Sequence, residues 1–418
     1  MQTIQSAPQK AARKVASKDL PVTPHAAAGR RAIANRGVAN LAARIESGAP
    51  EGIETLAGDT VVGFIATDRR RGRGALSNAS GRFEKQVRVE EDDGWDGLGD
   101  LEAFRTQISY EKPRTIITRN DSPDISFDRS INPYRGCEHG CVYCFARPTH
   151  AYMGLSPGLD FETRLFVKEG AAQALERELS APGYQPKTIA IGTNTDPYQP
   201  IERQHRNMRQ ILEVLSRANH PVGIVTKSAL VTRDIDILAP MAEKCLAKVA
   251  LSVTSLDGKL SRLMEPRAAQ PEKRLETLRI LSEAGIPTTV MLAPIIPAIN
   301  DHEIETILER AYAAGARNAG YVMLRLPLEV ESIFSEWLVT HFPGKYRHVM
   351  SLVRGMRGGK AYDSTFGKRM TGSGPYAWLT GRRFEMASGK CGFNKARSKL
   401  RCDLFQRPAR QNEQLMLL

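Results

Sequence analysis

Acidic residues are scarce at one end of this chain. Residues 341–418 hold sixteen Lys or Arg against four Asp or Glu, a balance of +12, and the whole 418-residue chain carries +13. An evenly charged surface is thereby excluded. The basic end is interleaved with Tyr346, Tyr376, Trp378, Phe384 and Phe405. That combination suits nucleic acid, and it also suits a merely solvated face. No stretch approaches the roughly 18 apolar residues that a membrane helix needs, so no membrane partner is expected. The N-terminus has no apolar signal core, so secretion is not expected either. Cysteine is rare, six residues in all. Without a mark of secretion a disulfide framework is disfavoured, and a reducing cytoplasm is the expected location. Hydrophobic content of 41% and charged content of 25% are those of an ordinary globular protein, long enough for one large core or two domains.

What cysteine there is, is concentrated. Cys137, Cys141 and Cys144 fall within eight residues in a C-x3-C-x2-C pattern, with Tyr143 directly before the last. Three sulfurs this close can converge on one metal centre. A structural zinc site usually takes four protein ligands, and no second C-x-x-C is present. His139 or a distant residue would have to complete it. A cluster of four irons offers four ligand positions, so three thiolates leave one iron open for a substrate or cofactor. A cluster held by four thiolates mainly carries electrons.

Residues 1–60 read as a disordered basic tail rich in Ala, Pro and Gly, and residues 61–120 as a polar N-terminal extension with short strands. The extension contains Arg69–Arg73 and an acidic patch, Glu90 to Asp93. From 121 to 340 strand-like runs alternate with helix-like ones. Strands are expected at Ile125–Asn132, Thr188–Gly192, Val222–Thr226, Val249–Val253, Thr288–Leu292 and Tyr321–Leu324. Met208, Ile211, Leu212 and Leu215 recur at helical spacing, as do Ile304, Ile307, Leu308 and Ala311. Gly285–Ile286–Pro287 reads as a helix stop. Repeated βα units predict an α/β fold with a parallel sheet, curled into an open or partial barrel of six units. In such barrels chemistry sits at the C-terminal strand ends, where the three cysteines fall. Residues 341–418 form a basic C-terminal extension.

The other strand ends are polar as well. They carry Gly192–Thr193–Asn194–Thr195–Asp196, Thr226–Lys227–Ser228, Ser252–Val253–Thr254 and Arg325–Leu326–Pro327. Singly, each residue has an ordinary turn or capping role. Together they read as a binding floor. Lys227 is the most pointed, because a lysine at the inner end of a strand needs an anionic partner.

The cysteine spacing resembles the signature of the radical S-adenosylmethionine (SAM) superfamily. The stretch from Ser130–Ile131–Asn132–Pro133–Tyr134–Arg135–Gly136–Cys137 to Arg325–Leu326–Pro327 resembles its spore-photoproduct-lyase-like branch, whose members are often labelled DNA repair photolyases. Glu265–Pro266–Arg267 belongs to the same likeness. The resemblance implies a partial (β/α)6 TIM-like barrel, a 4Fe–4S cluster on Cys137, Cys141 and Cys144, and SAM cleaved to methionine and a 5′-deoxyadenosyl radical. It places the backbone around Tyr143 and Phe145 near the adenine, Thr193, Asn194 and Thr195 near the methionine amino group, and Lys227 and Ser252 near the carboxylate or ribose. Implied partners are an electron donor, either a reductase or a flavodoxin- or ferredoxin-type protein, and nucleic acid as a candidate substrate.

One departure stands out. The lyase uses a cysteine on the second strand as hydrogen donor, and this chain has Ile191, Gly192 and Thr193 there. The catalytic hydrogen donor is therefore unassigned. Cys245 reads as a small buried hydrophobe, and Cys391 and Cys402 have no metal-like spacing. The alternative class is a nucleic-acid-associated protein whose cluster is structural or senses redox state; it leaves the polar strand ends without a purpose. For the basic end, the alternative to nucleic-acid binding is a lid over the barrel mouth with Trp378 and Phe384 buried.

Overall fold

The computed structural model describes residue 65 and residues 67–84, 103–396 and 399–409. The expected tail at 1–60 and the acidic patch at Glu90 to Asp93 lie outside them.

Among the described residues ten strands follow in chain order: β1 (Gln107–Glu111), β2 (Ile117–Arg119), β3 (Arg129–Ile131), β4 (Tyr134–Arg135), β5 (Arg164–Lys168), β6 (Ile189–Ile191), β7 (Val222–Thr226), β8 (Ala247–Ser252), β9 (Thr288–Ile295) and β10 (Asn318–Met323). The main sheet has the order β10-β9-β8-β7-β6-β3-β2. Six of its strands are parallel, and β2 joins the β3 edge antiparallel. The crossovers are α1 (Ala171–Leu179), α2 (Asn207–Arg217), α3 (Ile235–Glu243), α4 (Pro271–Glu283) and α5 (Ile304–Ala313), and α6 (Val330–His341) follows β10. This is the partial barrel of six βα units. A second, smaller sheet has the order β1-β5-β4.

The sequence dictates these elements through burial. Met208, Ile211, Leu212 and Leu215 of α2 are all buried, as are Ile304, Ile307, Leu308 and Ala311 of α5. Each such aliphatic side chain contributes about 1.5–3 kcal/mol by leaving water. β7 and β8 are short and apolar because helices cover the sheet they lie in. After α4, Gly285 takes a left-handed φ of 76° and the Ile286 amide bonds back to the Leu281 carbonyl, which ends the helix as the sequence anticipated. The first expected strand, Ile125–Asn132, contracts to the three residues of β3.

Cys245 is exposed, not buried. It sits at φ 58° in the turn after α3, in the left-handed position a glycine usually fills, while the next residue, Leu246, is buried in its place.

The C-terminal extension folds onto the barrel as α7 (Tyr346–Gly355) and α8 (Gly374–Cys391). α8 packs against α5 and β10, with the Phe384 ring 4.7 Å from that of Tyr321. Phe384 is buried, but Trp378 is 67% exposed, so only half of the lid expectation holds. Between the helices, a strap joins the two edges of the open sheet. The Met323 amide at the β10 edge donates to the Met370 carbonyl. At the other edge Arg369 pairs with Asp124, between β2 and β3, at 2.9 Å.

Candidate active site

The three cysteines lie on a loop that leaves β4 at the C-terminal end of β3. Gly140 in that loop has φ 68°, and a Cβ there would stand 2.7 Å from a Glu162 carboxylate oxygen. The loop is held by a buried pair that the spacing of cysteines does not advertise. Arg147 is fully buried and contacts Glu162. Its Nε donates to the Cys141 carbonyl at 2.9 Å, and its other nitrogens donate to the carbonyls of Gly140, Pro157 and Gly158. Glu162 also accepts the amides of Gly74 at 2.8 Å and Ala75 at 2.9 Å. Arg73 donates to the Glu162 carbonyl and the Thr106 hydroxyl. The Arg73–Gly74–Ala75 stretch therefore clamps the cysteine loop from outside the barrel. The only sequence signal for Arg147 was its place three residues after Cys144, before a proline.

Cys137 and Cys141 are buried, and Cys144 is half-buried; all three are free thiols. Burial foremost, then the Asp196 carboxylate and the two sister thiols, pushes the Cys137 thiol up. Burial also pushes the Cys141 thiol up, opposed by the charge of Lys227. The three sulfurs and Lys227 thus share one electrostatic neighbourhood. Thiolates there require compensating positive charge, which a metal cluster supplies, so the donor set fits one. Among the described residues no three His, Cys, Asp or Glu side chains are disposed to hold a single metal ion.

Tyr143 is buried, and its hydroxyl contacts Glu265. Glu265 also accepts the Thr254 hydroxyl at 2.7 Å and contacts Arg274, whose Nη1 donates to the Ser252 carbonyl at 3.0 Å. This network ties the cysteine loop to the end of β8. Lys227 lies at the end of β7 with its Nζ 5.9 Å from the Tyr143 ring centroid. Its amide donates to Asp196 at 2.8 Å, and Asp196 also accepts the Thr226 hydroxyl. Burial alone would raise the Asp196 carboxyl, but His139 at 3.3 Å and these hydrogen bonds hold it at about 2.

After β6, Thr193 and Asn194 are half-buried and Thr195 is buried. The Asn194 amide donates to Asn132, and the Thr195 hydroxyl donates to the Tyr134 carbonyl at 3.0 Å. Ser252 is buried at the end of β8. The structure brings Tyr143, Lys227 and the three cysteines directly together. It sets Thr193, Asn194, Thr195 and Ser252 on the same rim, at the ends of β6 and β8. Asp196, Glu265 and Arg274 were within quoted stretches or near them, yet only the fold shows them bracing the rim.

The model of the radical SAM superfamily matches residues 131–311. An uncharacterized protein of Mycobacterium tuberculosis is 36% identical over 230 residues, covering 54% of this chain and 68% of the relative. A radical SAM Nα-GlyT isomerase of Pseudomonas phage M6 is 22% identical over 391 residues, covering 83% and 78%. A solved structure of spore photoproduct lyase complexed with dinucleoside spore photoproduct aligns at 15% identity and a TM-score of 0.49, covering 68% of this chain and 80% of that one.

Proposed function

Since the chain belongs to the radical SAM superfamily and is a radical SAM enzyme, we propose that Cys137, Cys141 and Cys144 hold a 4Fe–4S cluster beside bound SAM. The observation that carries this reading is the gathering of three free thiols, two buried and one half-buried, with Lys227 at the C-terminal rim of a partial barrel. Three thiolates would leave one iron of such a cluster open to a cofactor, whereas a structural zinc site usually takes four protein ligands. When bound, the cluster and SAM supply a one-electron cleavage that leaves methionine and a 5′-deoxyadenosyl radical.

The chain's own residues bind and orient. Lys227 offers the ammonium that a cofactor carboxylate needs. Tyr143, fixed through Glu265 and Arg274, offers a ring face for the adenine. Thr193, Asn194, Thr195 and Ser252 supply backbone and hydroxyl groups at the neighbouring strand ends. The apolar packing of Val142, Met264, Leu324, Phe334 and Trp337 beneath the loop excludes water. The electron comes from a reductase or a flavodoxin- or ferredoxin-type donor in a reducing cytoplasm. No described helix is long and apolar enough to cross a membrane. Nucleic acid is the proposed substrate class. The core is proposed to span 121–340, flanked by the extensions at 61–120 and 341–418.

The test is anaerobic reconstitution followed by iron analysis and detection of 5′-deoxyadenosine after reduction with SAM. About four irons per chain and product formation are expected, and Cys141→Ala should lose both. A Cys141→Ala protein that keeps the full cluster would sink the assignment.

A further inference from the structure

Six of the sixteen cations of the C-terminal extension, Arg354, Arg369, Arg382, Arg383, Lys390 and Arg401, each form an ion pair with an acid within the fold. One arginine on the rim behaves differently.

Arg325 follows β10, the last barrel strand. Its guanidinium lies 4.7 Å from the ring centroid of Phe145, the residue after Cys144, and 5.9 Å from that of Tyr362 on the strap. Its polar contacts are weak and neutral. Nη1 reaches the Met370 sulfur at 3.5 Å, Nη2 reaches the Tyr362 hydroxyl at 3.4 Å, and Nε is buried with no partner. No carboxylate pairs with it among the described residues. Elsewhere around the loop the corresponding cations are matched, Arg147 by Glu162 and Arg274 by Glu265.

A second cation deepens the positive field. Arg357 is buried and donates to the carbonyls of Leu324, Lys368 and Arg369. It too makes no ion pair among the described residues, and after burial the charge of Arg325 is what most lowers its pKa. The Asp363 carboxylate offsets part of this repulsion at Arg357 but forms no ion pair with either arginine among the described residues, and two neighbouring guanidiniums without a paired acid are costly unless an anion arrives. Phe145 is 42% exposed and flanks the same spot. A planar, forked cation between aromatic faces is suited to a phosphate ester whose attached base stacks on a ring.

We infer that Arg325 anchors a substrate phosphate beside the cysteine loop, with Phe145 and Tyr362 as its aromatic walls. This rests on the proposed reading of the rim as the cofactor site. The phosphate belongs to a nucleic-acid strand or to a free nucleotide.

The test uses the full chain with its reconstituted cluster. Binding of a fluorescein-labelled single-stranded dodecanucleotide is titrated at several salt concentrations, with thymidine monophosphate as competitor. Arg325→Gln should weaken binding about tenfold or more, the loss of one charge-assisted contact. It should also make the log–log salt slope shallower by about 0.7, one phosphate contact on a single strand. Arg382→Gln, at a paired and distant surface position, should leave affinity unchanged. If Arg325→Gln melts early, Arg325→Lys decides: about threefold weaker binding with the wild-type slope is expected from losing the fork and keeping the charge.

Displacement by monophosphate at the oligonucleotide's own concentration supports the anchor and assigns it to free nucleotides. Unchanged affinity in both Arg325 variants overturns the inference, as does an equal loss in Arg382→Gln or a wild-type protein that binds neither probe. Formation of 5′-deoxyadenosine by the wild-type protein is measured separately. Its failure would strike the radical-enzyme reading, whereas loss of phosphate binding alone strikes only Arg325.

Discussion

Replacing Glu162 with Ala should loosen the cysteine loop without touching a thiol. In the native protein this carboxylate is fully buried and receives Arg147 together with the amides of Gly74 and Ala75. Removing it strands a buried guanidinium, which costs about 3–5 kcal/mol in comparable pairs. The two amides lose their acceptor as well, at about 1–3 kcal/mol each where no water replaces it. The sum rivals the 5–15 kcal/mol that holds a typical domain together. Local release is the cheaper outcome: residues 67–84 detach, and Arg147 stops ordering the carbonyls of Gly140 and Cys141. Limited proteolysis should then cut within 67–84, urea denaturation should shift to lower midpoint, and iron retained after reconstitution should fall. Glu162→Gln, which keeps the volume and one acceptor, should fall between the two. A Glu162→Ala protein with the wild-type midpoint, proteolytic pattern and iron content would refute the clamp.

Lys227→Ala should keep the cluster and weaken SAM binding by about tenfold, a lost charge-assisted contact, as read by equilibrium dialysis of the holoenzyme; unchanged affinity would show that Lys227 does not face the cofactor. Removal of residues 380–418 cuts α8 in its middle and takes Phe384 off Tyr321, so a thermal melt should show a loss of about 3–5 kcal/mol or more, and a melt like the wild type would mean that the helix is not anchored as seen. Glu336 on α6 is buried, which raises its carboxyl to about 7 despite the Ser77 hydroxyl that donates to it. Because the folded state holds this proton more tightly than the unfolded chain, the associated stability is complete below about pH 4 and is lost as pH rises through 7. Glu336→Gln should therefore gain about 3 kcal/mol over the wild type at pH 8 and nothing at pH 4, measured by urea denaturation at both values; parallel curves at the two pH values would show that Glu336 does not carry the linkage.

The barrel was legible because its signals are local. β7 matches the expected Val222–Thr226 to the residue, and the apolar stripes of α2 and α5 are buried as their spacing required. Where the signal weakened, so did the reading. β3 shrinks to three residues because Asn120, Asp124 and Asp128 spend the preceding stretch on side-chain bonds to nearby backbone, hydroxyl and basic groups. Cys245 misled because thiol chemistry says nothing about backbone: the end of α3 needed a left-handed residue, and cysteine fills that place with its side chain outside. The metal-type spacing of the cysteines was visible, but the carboxylates that brace their loop were not. Glu162 and Glu265 lie far along the chain from Gly74 and Tyr143, and pairings of that separation leave no periodicity to read.

The long-range contacts converge on one place, which explains why a six-stranded open barrel needs both extensions. An open parallel sheet leaves two edges unpaired and its rim loops held from one side only. The N-terminal extension answers the second problem by delivering Arg73, Gly74 and Ala75 to Glu162, and Ser77 to Glu336. The C-terminal strap answers the first by bonding Met370 to β10 and Arg369 to Asp124. The same strap carries Tyr362 to Arg325 beside the cysteine loop. Closure of the sheet and placement of Tyr362 beside Arg325 are thus one structural act. A break of the Arg369–Asp124 pair should therefore be felt first in phosphate binding at Arg325 and only later in the stability of the barrel.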